Sequence, residues 1–69
     1  MEEHKLKAYL EDRGVMKTWL AKQLGISMQA LYQKFSGVTK FSLEQSLKIR
    51  DLLRMTNTEF NEVFGGNEK

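Results

Sequence analysis

Residues 17–37 read KTWLAKQLGISMQALYQKFSG, and this stretch decides the fold. Leu20 and Leu24 lie four apart and put an apolar stripe on one helix, and Leu31 and Phe35 do the same on a second. Ala21 is small and falls on the inner side of the first helix, where a larger side chain would hold the second away. Gly25 follows Leu24 as a C-terminal glycine able to take the left-handed conformation that turns the chain. Ile26 is expected to plug the turn into the core, and Ser27 to cap the next helix by accepting a backbone N–H bond. The spacing predicts a helix, a short turn and a second helix.

The run LAKQLGIS, followed by a helix and a glycine-ended turn at Ser36-Gly37, resembles the phage repressor and Cro family of helix-turn-helix proteins. The similarity extends from about Leu6 to Phe64, because that family also has one helix before the motif and two after it. The resemblance implies an all-α fold, a compact five-helix lambda-repressor-like DNA-binding domain with a central helix-turn-helix. Two positions depart from the pattern. Met16 stands where the family usually has a Thr or Ser cap, and Lys34 where many members have an apolar residue, with Phe35 taking that role one position later.

The flanking sequence fits one domain of 69 residues, near the lower limit of what a single core stabilises without a disulfide or metal. The chain has no cysteine and no proline. Apolar residues recur at three- and four-residue spacing more than they alternate, which argues for helices. No stretch approaches the roughly 18 to 20 consecutive apolar residues of a membrane span, and the charged start, Met1 to Lys7, does not read as a signal peptide. A soluble, cytoplasmic protein is the expectation.

In order along the chain, Glu3 to Arg13 reads as the first helix, with Glu2 and Glu3 favourable to its dipole at the start and Arg13 at the end. Leu6, Tyr9, Leu10 and Ala8 are its inward candidates, and Gly14 ends it. His4 has no second His, no Cys and no carboxylate pair at ligand spacing, so it is expected on the surface. Trp19, the odd member of the second helix, is expected against the edge of the first, with a partner surface as the alternative. Ser42 with Gln45, and Thr56 with Glu59, each read as a capping box that opens a helix. Leu43, Leu47, Ile49, Leu52 and Leu53 supply core from the fourth helix, which should fail near Met55. A short fifth helix carries Phe60, Val63 and Phe64 on one side, and residues 65–69 form a frayed polar tail.

Net charge is only +2, yet its distribution is uneven. Residues 13–54 carry eight Lys and Arg against two Asp and Glu, whereas both ends of the chain are acidic. Positive charge therefore coincides with the motif, as a phosphate-facing surface requires, although lysines on solvated helix faces are also ordinary.

If the third helix is a recognition helix, as the resemblance implies, Met28, Gln29, Tyr32 and Gln33 are its candidate base-contacting residues. A glutamine offers a donor and an acceptor together, which match the N6 and N7 edge of adenine in the major groove. Met28 and Tyr32 can meet a thymine methyl or a sugar. Candidate phosphate contacts are Lys17, Ser27, Lys34, Ser36, Thr39 and Lys40, with the loop from Gly37 to Phe41 laid along the DNA backbone. Met55, Phe60 and Phe64 read equally as a lid on the core and as a two-fold dimer contact.

No glycine-rich phosphate loop, metal-ligand cluster or triad pattern is present, which argues against an enzyme and implies no cofactor, no metal and no small-molecule ligand. The expected function is a sequence-specific double-stranded DNA-binding transcriptional regulator, a Cro-like repressor of phage or mobile-element type. The length, without a further oligomerisation domain, favours a small Cro-like regulator over a long repressor. The alternatives are a helical protein-interaction module, such as an antirepressor or a regulator's partner, and an excisionase-like architectural DNA binder.

Overall fold

The computed structural model describes residues 4–65 and contains five α-helices and, among the described residues, no strand. They are α1 (Lys5–Arg13), α2 (Lys17–Leu24), α3 (Met28–Ser36), α4 (Leu43–Leu53) and α5 (Asn57–Val63). The bundle is all-α and nearly isometric, with Cα extents of 27 × 25 × 23 Å. Helix α3 packs on α2 and on α1, and α5 closes against α1.

Each helix has a visible reason to start and stop. Ser27 Oγ accepts the Ala30 N–H at 3.0 Å and opens α3. Both capping boxes form: the Gln45 and Glu59 N–H groups donate to Ser42 Oγ and Thr56 Oγ1, and their side chains accept from the Ser42 and Thr56 N–H groups. Met16 does occupy the N-cap of α2 without a side-chain bond, so that helix starts where the motif requires but lacks a cap. Gly25 ends α2 at φ 72°, and its N–H and that of Ile26 donate to the Lys22 and Ala21 carbonyls. Helix α4 stops at Leu53, with Arg54 in the left-handed region at φ 54°.

The core follows the apolar spacing. Leu6, Leu10, Leu20, Leu31, Phe35 and Ile49 are sealed from solvent, and Ala21, Met55, Val63 and Phe64 join them. Ile26, Leu24, Tyr9, Leu52, Leu53 and Phe60 pack half-buried around this centre, as do Val15 and Phe41.

Several expectations are corrected. Helix α1 begins at Lys5 and not Glu3, because His4 is its N-cap: Leu6 N–H donates to His4 Nδ1 at 3.0 Å. His4 is accordingly not a plain surface residue. Its own N–H donates to the Phe35 carbonyl at 2.7 Å, and its ring packs edge-on to Phe41 and tilted against Phe64. Ala8 is exposed, since Leu6 and Leu10 already fill the inward face. Leu43 is 72% exposed, because the capping box makes it the first residue of α4 and helical side chains tilt toward the N-terminus, here past the helix end. Leu47 is half-buried, and the core face of α4 runs through Ser46 and Ile49. Glu2, Glu3 and the tail beyond Gly65 lie outside the described residues.

Two outcomes follow from these contacts. A Cβ added at Gly25 would meet nothing within 4 Å, so Gly25→Ala should cost only the left-handed backbone penalty, about 1 kcal/mol in a denaturant melt. Burial holds the His4 pKa below its ordinary value, and a protonated Nδ1 could no longer accept the Leu6 N–H. The neutral form is the native one, so its stabilisation is complete above the unfolded-state pKa of about 6.5 and is lost as pH falls through the lower folded value. Thermal melts at pH 7 and pH 5 should therefore show a larger drop in Tm for the wild type than for His4→Asn, which caps without titrating.

Candidate nucleic-acid interface

Helix α3 is positioned from below by Leu31 and Phe35, both sealed in the core, and is held at its start by Ser27. With that side fixed, Gln29 and Tyr32 are exposed, Tyr32 by 48%, and Gln33 and Met28 are half-buried. The four residues expected to face bases thus differ. Gln29, Tyr32 and Gln33 present polar groups from the outer side of α3, whereas Met28 is partly buried and packs against the core. Tyr32 leans on Phe35 with ring centroids 6.0 Å apart, which restrains its ring while its hydroxyl end reaches outward.

The departure at Lys34 resolves in favour of Phe35 as the core residue. Lys34 lies half-buried with its ammonium 5.6 Å from the Phe41 ring centroid, and it donates to the Lys40 carbonyl at 3.1 Å. Its charge sits close under the loop that follows α3. The Ser36 hydroxyl donates to the Gln33 carbonyl at 3.2 Å, so it has an internal partner, and Ser27 Oγ is likewise engaged in its cap.

The loop from Gly37 to Ser42 is tied down from several directions. The N–H groups of Val38 and Thr39 both donate to the Gln33 carbonyl, at 2.9 and 3.3 Å. Phe41 anchors the far side, touching Phe35, Phe64 and His4. The Val38 and Thr39 N–H groups are therefore committed to α3. The chemistry left to the loop is the Thr39 hydroxyl and the Lys40 ammonium, both on exposed residues.

Lys17 opens α2, yet its ammonium lies 3.0 Å from Glu11, which also pairs with Lys7 at 3.4 Å. The Lys17 hydrogen bond, ahead of the charge of both lysines, holds the Glu11 carboxyl below the usual carboxylate range. An exposed pair of this kind contributes little stability, and a phosphate could take its place. Trp19 is 40% exposed, with the larger part of its surface covered.

The dimer candidates separate in the same way. Met55 and Phe64 are buried in the core, at 7% and 4% exposure, so they form the lid and cannot also meet a second chain without opening it. Phe60 alone among them keeps some surface, and Arg50 covers its ring at 5.8 Å. On the other side of α5, Glu59 pairs with Arg13, whose guanidinium lies 4.3 Å over the Tyr9 ring. That clamp fixes α1 to α5 and leaves the face of α3 open.

Among the described residues no group of three or more His, Cys, Asp or Glu comes together to hold a metal ion, and no helix is long and apolar enough to cross a membrane. Searches of protein families, characterised proteins and solved structures find no match to this chain.

Because Met28 packs and Gln29 does not, truncating each should separate them. Met28→Ala is expected to lower stability by about 1 to 2 kcal/mol, whereas Gln29→Ala should stay within about 0.5 kcal/mol, both read from urea melts.

Proposed function

We propose that this protein is a sequence-specific double-stranded DNA-binding regulator in which α3 enters the major groove. The observation that carries the reading is the two-sided character of α3: Leu31 and Phe35 lock one side into the core while Gln29, Tyr32 and Gln33 face away from it. Amide side chains four residues apart on an exposed helix can each make the paired donor and acceptor contact that an adenine edge offers. Nearby, Thr39 and Lys40 on a tethered loop, and Lys17 at the start of α2, supply a hydroxyl and two cations for the flanking phosphates. These contacts would set the register of the domain on the duplex and carry no sequence information.

The concentration of cations between residues 13 and 54, against acidic ends, supports the same reading, because the stretch that holds α2, α3 and the loop carries Lys17, Lys22, Lys34 and Lys40 and no Asp or Glu. The resemblance of LAKQLGIS and the glycine-ended helix to phage repressors and Cro proteins extends the proposal to a small repressor of that type, acting in the cytoplasm without a cofactor and with no catalytic role. Repression would follow from occupying DNA that polymerase needs.

The test is fluorescence anisotropy on duplexes selected by the protein from random sequence. Gln33→Ala should cost on the order of 1 to 3 kcal/mol on the selected duplex and little on random duplex. Lys40→Ala should weaken both alike and reduce the salt slope by about one. Binding that is equally weak to selected and random duplex, or that is indifferent to salt, would contradict the proposal and favour a protein partner.

A further inference from the structure

Of the two lysines given to the flanking phosphates, Lys40 carries no ion pair with another described residue, whereas Lys17 is already taken. Its ammonium lies 3.0 Å from Glu11 Oε2, and the same oxygen stands 3.4 Å from the Lys7 ammonium. One carboxylate oxygen on α1 therefore joins a cation of its own helix to the cation that opens α2. Both lysine side chains are mostly covered, at 25% and 22% exposure for Lys7 and Lys17, while that of Glu11 is 51% exposed. The carboxylate is thus the solvent-facing member of the three and the one an incoming anion would replace. The neighbouring Asp12 is also exposed but has no ion pair with another described residue, and it lines a groove with Glu62 and Val63 of α5.

We propose that Glu11 is a built-in competitor for the duplex: in the free protein its carboxylate occupies the anion position that a backbone phosphate takes when Lys17 meets DNA. The inference rests on the DNA-binding reading above. Carboxylate and phosphate both offer anionic oxygens to an ammonium, so the two can exchange at one lysine. They cannot both hold it closely, because the like charges repel. An exposed ion pair is weak, so phosphate displaces Glu11 once the domain is seated, yet the displaced carboxylate stays tethered beside the phosphate and opposes it. The exchange also has a distinct salt signature. A free lysine that neutralises a phosphate releases a cation from the DNA and adds close to one unit to the salt slope. At Lys17 the freed Glu11 takes a cation back, so the exchange is nearly salt-neutral. Lys40 therefore supplies affinity that falls with salt, whereas Lys17 positions the duplex and adds little to the slope.

The experiment is anisotropy on the selected and random duplexes at two salt concentrations, with Asp12→Asn as the control that removes the same charge from the next residue. Glu11→Gln keeps the side-chain length and should melt close to wild type. It should bind the selected duplex about threefold more tightly than Asp12→Asn does and steepen the salt slope by about one unit, which Asp12→Asn should not. Lys17→Met made together with Glu11→Gln should return the slope to the wild-type value, whereas Lys17→Met alone should leave it nearly unchanged. Equal affinities and equal slopes for Glu11→Gln and Asp12→Asn overturn the inference alone, since both would then act only through net charge. A wild type that binds no duplex specifically overturns the DNA-binding reading and the inference together.

Discussion

Packing around Phe35 is the constraint on which the remaining structure depends. Its side chain is sealed in the core, and its carbonyl accepts the His4 N–H at the start of α1. Through Phe41 it reaches the loop after α3, and through the Phe41–Phe64 contact it reaches the end of α5. Four separated parts of the chain thus meet at one aromatic group. Aromatic side chains bury large areas and prefer edge-on or tilted contacts, so such a group fixes orientation as well as contributing stability. In a chain with neither proline nor cysteine, this packing does what a covalent staple would otherwise do in so small a fold.

The consequence for α3 is that it cannot roll. Leu31 and Phe35 define its buried side, and a rotation of one residue would drive Lys34 into the core at a large desolvation cost. Lys34 instead lies over Phe41 with its ammonium on the Lys40 carbonyl. The outer row of Gln29, Tyr32 and Gln33 and the loop at Thr39 and Lys40 are therefore parts of one rigid surface. Preorganisation of that kind reduces the ordering entropy that binding would otherwise cost.

Much of this was legible from residue spacing. The five helices, the caps at Ser27, Ser42 and Thr56, the left-handed Gly25 and the core roles of Leu6, Leu10, Leu20, Leu31, Phe35 and Ile49 all follow from local rules that depend on residues within a turn or two. What was not legible depends on tertiary neighbours. His4 becomes a cap because Phe35, Phe41 and Phe64 surround it, and none of these is near it in sequence. Leu43 is exposed because the helix end, not its hydrophobicity, decides where it points. Met55 and Phe64 are apolar whether they form a core or an interface, and only burial separates the two roles. The engagement of Lys17 by Glu11, and of the Val38 and Thr39 N–H groups by Gln33, likewise depends on how the helices and the loop pack.

The central claim is that the outer face of α3 and the loop after it form the surface that meets DNA. Amide chemical-shift mapping of the isotope-labelled protein, titrated with the tightest duplex it selects from random sequence, tests that claim most directly. The largest changes are expected at Gln29, Tyr32, Gln33, Thr39 and Lys40, with Asn57 to Val63 of α5 nearly unmoved. Changes centred on α1 and α5, with α3 silent, would contradict the account.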